Sequence, residues 1–427
     1  MRLTGSQLTE SRKDGTCVYR GRALRPWLWA TVLPLLWSCD NTSYYCSNCV
    51  PPPSNPSEVS LGLVAGNFNN NGSTSVVATS TVLANPYVNS GNLKLYLSSG
   101  TGTFAPPVLV AAGNDPLYLA SADLNNDMLP DVVSASFADG ALSVFLNSAQ
   151  TPGTFAAPLV LNSPGASQVA ILDMNNDGLA DLVSADYNVS LFLQSSPGVF
   201  AKPVSLYPGG ANWVALGDLN HDGIADVAVT DAVGVKVLLH TGAASSSTYA
   251  APVSVFTQTL NPNLLGANLI AIADVNNDGY NDLIITDPGP PGGTGAFVAV
   301  LLQDAAHPGQ FLAAVNYPMG QYVAQSLIVS DVNGDHHPDI IIGGQSGVSV
   351  LLQDASGNGT FGAATNYAAS DANEIAVADV NGDGRPDIIV GTGPSHPLVN
   401  GVMTNTPGVL LQNASRPGTF AALVALP

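Results

Sequence analysis

The chain has 427 residues, 46% apolar and only 10% charged, with 43 Gly and 31 Pro. That is too apolar for a disordered chain and too rich in turn formers for a helical one. Six of the eleven bases but only two of the 31 acids fall in residues 1–38, which leaves 29 acids against five bases in the remainder; so acidic a surface argues against nucleic acid as a partner, because no basic stripe is left to neutralise phosphates.

At the N-terminus Arg20, Arg22 and Arg25 precede an apolar run from Trp27 to Trp37, then Ser38 and Cys39. Residues 1–38 therefore read as an export signal, too short at its apolar centre to span a bilayer, which takes about 20 residues. Leu36, Trp37, Ser38 and Cys39 resemble a bacterial lipobox, which makes Cys39 the expected lipidation site; a plain secretory signal cut nearby is the alternative. Either way the protein is expected to be exported, lipid-anchored in a bacterial cell envelope or secreted, with no other membrane attachment. Residues 39–58 are rich in Pro, Ser and Asn and read as a linker. Within it Cys46 and Cys49 lack the βαβ setting of a redox motif and read as a local disulfide.

From residue 59 to the end one unit recurs seven times. Its anchor is an Asp-rich nonapeptide starting at Asn67, Asp123, Asp173, Asp218, Asp274, Asp331 and Asp379, so one unit averages 52 residues. That is the length of a four-stranded propeller blade. A short apolar run before each nonapeptide reads as strand A, and a β-branched run after it, such as Ile340 to Ile342, as strand B. Strand C follows, for example Val348 to Leu352. An aromatic then opens strand D: Phe104, Phe155, Phe200, Tyr249, Phe311, Phe361 and Phe420. Seven aromatics at one place in a repeat predict a packing slot between neighbouring blades. The first unit begins at strand A and the last ends at strand D, so ring closure is expected to join two whole blades.

Six nonapeptides share acids at positions 1, 5 and 9 and Asn at position 3. They supply Asp123, Asn125, Asp127 and Asp131; Asp173, Asn175, Asp177 and Asp181; Asp218, Asn220, Asp222 and Asp226; Asp274, Asn276, Asp278 and Asp282; Asp331, Asn333, Asp335 and Asp339; Asp379, Asn381, Asp383 and Asp387. Oxygen donors at alternate positions wrap around one point, as a hard cation requires, and Gly at position 6 allows the sharp left-handed turn. Neither Cys nor paired His is present for zinc. The expected ion is Ca²⁺, with the position-7 carbonyl and the position-9 carboxylate completing the shell. Asp-Gly also makes good hairpin turns, but that reading does not require acids at 1, 5 and 9 six times over. Unit 1, Asn67 to Ser75, has no carboxylate and is expected to be empty or very weak.

This loop, set between an apolar and a β-branched strand, resembles the FG-GAP/VCBS repeat of integrin α-subunit heads, over residues 59–427. The resemblance implies an all-β, seven-bladed β-propeller with calcium-binding loops between strands A and B on its lower face. Met128 and His336 depart from the family pattern by replacing Gly at position 6.

No nucleophile elbow, phosphate loop or zinc-protease motif is present, and no acid/base pair stands outside the calcium loops. The favoured reading is a non-catalytic, monomeric adhesion or scaffold module, with its protein or glycan ligand open. A glycan-binding lectin is the alternative, and a polysaccharide lyase a weaker one, because residues 39–427 hold only Lys94, Lys202, Lys236, Arg385 and Arg416 as bases. The residue five places before each nonapeptide varies: Gly62, Tyr118, Gln168, Trp213, Leu269, Ser326 and Glu374. Tyr118 and Trp213 are therefore candidate partner anchors on the opposite face, or plugs of the central channel.

Overall fold

The computed structural model describes residues 57–427 except 60–61, 84–89, 186, 232, 243–246, 258–268, 289–294, 321–322, 370 and 393–406. The export signal, Cys39, Cys46 and Cys49 lie outside the described residues, as does most of the long connection from Gly391 to Gly408.

Among the described residues there is no helix. Apart from a two-stranded hairpin, Gln194–Ser196 with Val199–Phe200, the strands form seven antiparallel sheets, spanning 57–114, 116–162, 168–207, 213–257, 270–318, 324–368 and 372–425. Blade 4 shows the pattern: strand A Trp213–Gly217, strand B Asp226–Thr230, strand C Gly234–Leu238 and strand D Val253–Thr257, each paired with the next. In blade 1 the inner position is shared by Ser57–Val59 and Leu63–Gly66, both paired to Ser75–Leu83.

Strand B is buried along its whole length in blades 2 to 6, because it lies between A and C within its sheet and between two blades across it. The core is accordingly divided into seven apolar clusters, one at each junction between blades. At the closing junction Leu63, Val76 and Tyr96 of blade 1 pack with Val380, Ile389 and Val409 of blade 7. Among the described residues no strand is exchanged there and the two whole blades meet through this apolar cluster, as the order of units in the sequence predicts.

Each repeated aromatic packs into the cluster shared with the preceding blade; Phe361 of blade 6, for example, lies against Val275 and Val298 of blade 5. The predicted slot is correct but its address is not. The aromatic sits about four residues before strand D, bridged to the second residue after strand C, as in Gln353 with Phe361 and Gln412 with Phe420. A–B and C–D turns thus share one face, since successive strands run antiparallel.

Candidate metal centres

In all six acidic loops the side chains fold back on the backbone in the same way. The position-1 carboxylate accepts from the N–H of position 6, at 2.7 Å for Met128 and 2.8 Å for Gly178, Gly223, Gly279, His336 and Gly384. The Asn at position 3 accepts from the N–H of position 5, as in Asn220 with Asp222 at 3.0 Å. The position-5 carboxylate accepts from the N–H of position 7, as in Asp222 with Ile224 at 2.9 Å. Two carboxylates and a carboxamide are thereby gathered around one turn.

The turn needs a left-handed backbone at two places. Position 6 is one, with Met128 at φ 70° and His336 at φ 68° where the other loops have Gly. Position 4 is the other: Asn126, Asn176, His221 and Asn277 lie at φ 56–60°, and Gly334 and Gly382 at 79° and 75°. Asn tolerates this conformation better than most residues, which explains the Asn and Gly at position 4 that sequence reading passed over.

Position 9 has a further role that the sequence did not show. Asp131, Asp181, Asp226, Asp282, Asp339 and Asp387 are fully buried at the head of strand B. One oxygen accepts from the N–H of position 2, for instance Leu219 at 2.8 Å. The other accepts from the N–H of the second residue after strand C, for instance His240 at 2.6 Å. The aspartate thus clamps the loop entrance to the end of strand C. Burial nevertheless pushes the carboxyls of Asp131, Asp181, Asp226, Asp282 and Asp339 up to about 6, outweighing these N–H bonds, with repulsion from positions 5 and 1 adding to the rise. Asp387 is raised for the same reasons.

Among the described residues no three Asp, Glu, His or Cys side chains lie close enough to hold one ion together. The carboxylates at positions 1 and 5 converge with the Asn at 3, while the third keeps both oxygens on backbone N–H groups. The available donors are all oxygen, the chemistry of a hard cation.

Two further repeated positions anchor the loops. Position 2 (Phe68, Leu124, Met174, Leu219, Val275, Val332 and Val380) is buried in the cluster shared with the next blade. The second residue after strand C reaches the same place from the other side. Asn147 donates to the Phe68 carbonyl at 2.8 Å, Gln353 to that of Val275 at 2.7 Å, and Gln412 to that of Val332. Each bond joins a loop to the blade that follows it. Recurrent Asn or Gln after strand C was the signal in the sequence.

Loop 1 keeps the turn without charge. Asn67 accepts from the Gly72 N–H at 3.3 Å, and Asn70 and Gly72 are left-handed at φ 55° and 81°. Ser75 stands for the position-9 aspartate and accepts from the Ser98 N–H at 3.1 Å. Asn71 donates to the Ser98 carbonyl at 2.9 Å, an interaction no position-5 aspartate can make.

At the other end of the inner strands, Tyr118 and Trp213 meet edge to face, 5.1 Å apart, over the intervening blade 3. Gln168 of that blade bonds both the N–H and the carbonyl of Val214. The buried Glu374 accepts from Ser326 Oγ at 2.7 Å, and burial pushes its carboxyl up to about 8. Tyr118 and Trp213 thus pack on each other across blade 3 and keep part of their surface exposed.

Known proteins can now be set beside this geometry. A search of curated proteins finds no match by sequence. Some solved structures are similar at low identity. A lectin of Agrocybe aegerita, described for recognition of non-reducing terminal N-acetylglucosamine, is 19% identical with a TM-score of 0.51, over 74% of this chain and 81% of its own. The Vibrio cholerae biofilm matrix protein Bap1 is 13% identical with a TM-score of 0.44, over 86% and 90%. The exotype rhamnogalacturonan lyase YesX is 12% identical with a TM-score of 0.45, over 79% and 70%. The FG-GAP-like repeat model matches residues 67–134, 123–184, 173–229, 274–342 and 331–390, most matches running from one nonapeptide through the next. With more than half of its length matched and seven blades built on that unit, the chain belongs to the FG-GAP-like repeat family.

Proposed function

We propose that the protein is an exported, non-catalytic binding propeller whose six acidic A–B loops each take a calcium ion. The observation that carries this reading is loop 1. It holds the same turn with Asn and Ser in place of every carboxylate, so the backbone does not require the eighteen acids at positions 1, 5 and 9 of the other loops. Acids kept together against their mutual repulsion, and beyond what the turn needs, have a use for a cation. Asp, Asn and Asp at positions 1, 3 and 5 would hold the ion, with position 9 at the back of the loop. When bound, calcium supplies the charge that offsets the clustered carboxylates. The position-9 clamp and the position-2 anchor transmit the ordering of each loop to two blades. Metal analysis after extensive dialysis tests the reading: about six calcium ions per chain are expected, following the six acidic loops, and a metal-free protein in millimolar calcium overturns it.

The non-catalytic part rests on the scarcity of bases and on how they are held. Lys236 is engaged with Asp231 and with the Tyr207 hydroxyl at 3.1 Å, and Arg385 with Asp383 at 2.8 Å. The ligand is a protein or a glycan. The likeness of fold to a lectin keeps a glycan as the second reading, and a glycan array on the calcium-loaded protein separates the two. Cys39 is the proposed lipid anchor; Cys39→Ser should move the protein from the membrane fraction to the soluble one.

A further inference from the structure

Neighbouring loops touch one another along one arc of the ring, each time from position 4 of one loop to position 6 or 7 of the next. Asn176, position 4 of loop 3, donates to the carbonyl of Gly223, position 6 of loop 4, at 2.7 Å. His221, position 4 of loop 4, lies against the ring of Tyr280, position 7 of loop 5, with centroids 4.5 Å apart. Asn277, position 4 of loop 5, meets Nδ1 of His337, position 7 of loop 6, at 3.2 Å. Loops 4 and 5 are tied again where Asn281 donates to the Asp218 carbonyl at 2.9 Å.

One contact lands on the peptide, and the other two on the side chain of the residue, whose backbone N–H serves an expected ligand. The N–H groups of Ile224, Tyr280 and His337 donate to the position-5 carboxylates Asp222, Asp278 and Asp335, at 2.9 Å in every case. Each contact also starts from the residue between ligand positions 3 and 5 of its own loop. Settling the position-5 carboxylate of one loop therefore fixes the surface that the preceding loop uses to fix its own ligands. Beyond loop 6 the arc ends for a structural reason. Position 4 is Gly334 in loop 6 and Gly382 in loop 7, which have no side chain to extend.

We propose that the loops of blades 3, 4, 5 and 6 take up divalent cation as one cooperative unit, while those of blades 2 and 7 fill independently. This rests on the calcium reading given above, and it concerns side chains that are not ligands themselves. Coupling of this kind is reciprocal: whatever factor one filled loop adds to its neighbour's affinity, the neighbour returns.

The test is a calcium titration of the full chain by calorimetry, beside the triple variant Asn176→Gly, His221→Gly and Asn277→Gly. All three positions already have the left-handed backbone that Gly334 and Gly382 adopt in the same place, so Gly fits the fold there. For the unaltered chain we expect a steep phase covering four ions and a shallow one covering two. The variant should bind the same number of ions without the steep phase, the four sites weakening by about fivefold or more, the lower end of ordinary coupling between sites. Independent binding in the unaltered chain, or a steep phase that survives in the variant, overturns the coupling and leaves calcium binding standing. No uptake of calcium by the unaltered chain overturns both.

Discussion

Loop 1 and the six loops that follow it trace the same turn and hold it by opposite means. In loop 1 the turn is held by neutral side chains, with Asn71 crossing to the Ser98 carbonyl and Ser75 accepting from the Ser98 N–H. In loop 4 the matching places carry Asp222 and Asp226, and burial pushes the latter up to about 6. One loop holds its turn with neutral side chains; the others gather carboxylates whose mutual repulsion a cation would offset. The comparison separates what the blade needs, two left-handed residues and a clamp at position 9, from what was added to it.

The largest effect expected from that difference is the response to chelation. Removing calcium should lower the melting temperature steeply, since each site at a hundredfold excess of ion over its Kd adds about 2.7 kcal/mol. The chelated protein should also lose stability as pH rises. A carboxyl whose folded pKa is about 6 and whose unfolded value is 3.8 favours the folded state fully below 3.8, and that advantage is gone above about 6. Added calcium should flatten the profile. A chelated melt that is unchanged, or that rises between pH 4 and 6, would break the contrast between the loops.

Substituting the clamp comes next. Asp226→Ala leaves the buried N–H groups of Leu219 and His240 without an acceptor and should cost about 2–5 kcal/mol. Asp226→Ser, patterned on Ser75, should recover part of this in chelator, measured by denaturant midpoint. Equal destabilisation by Ala and Ser would show that loop 1 is not a guide to the other six.

Asp222→Ala should release one ion and the stabilisation that goes with it, about 2–3 kcal/mol in excess calcium. Asn71→Ala should release none, although it loses its bond to Ser98. Equal stoichiometry of the two variants by metal analysis would contradict the ranking of the loops. The smallest effect belongs to Met128, which is left-handed at φ 70° and 90% exposed. Met128→Gly should stabilise the chelated protein by about 0.5–1 kcal/mol, the relief of backbone strain less the entropy Gly loses on folding, as read by thermal melts.

By itself the sequence determined the number of blades, the order of strands, the place of the acidic loops and the whole-blade ring closure. All of these follow from a short unit repeated seven times, in which apolar runs and turn residues alternate at fixed spacing. It also marked the aromatic slot, though it put the aromatic at the start of strand D, because a Phe before a β-branched run looks like part of it. Only the tertiary structure decided what meets across blades. The bond from Gln353 to Val275, the contact of Tyr118 with Trp213 and the chain of loops from Asn176 to His337 join residues 47 to 95 apart in sequence. A repeat shows what each blade has in common and is silent on how one copy differs from the next where they touch. Position 9 is the clearest case: an aspartate reads as a ligand from its spacing, and its place as a buried clamp exists only once strand C has come back to meet it.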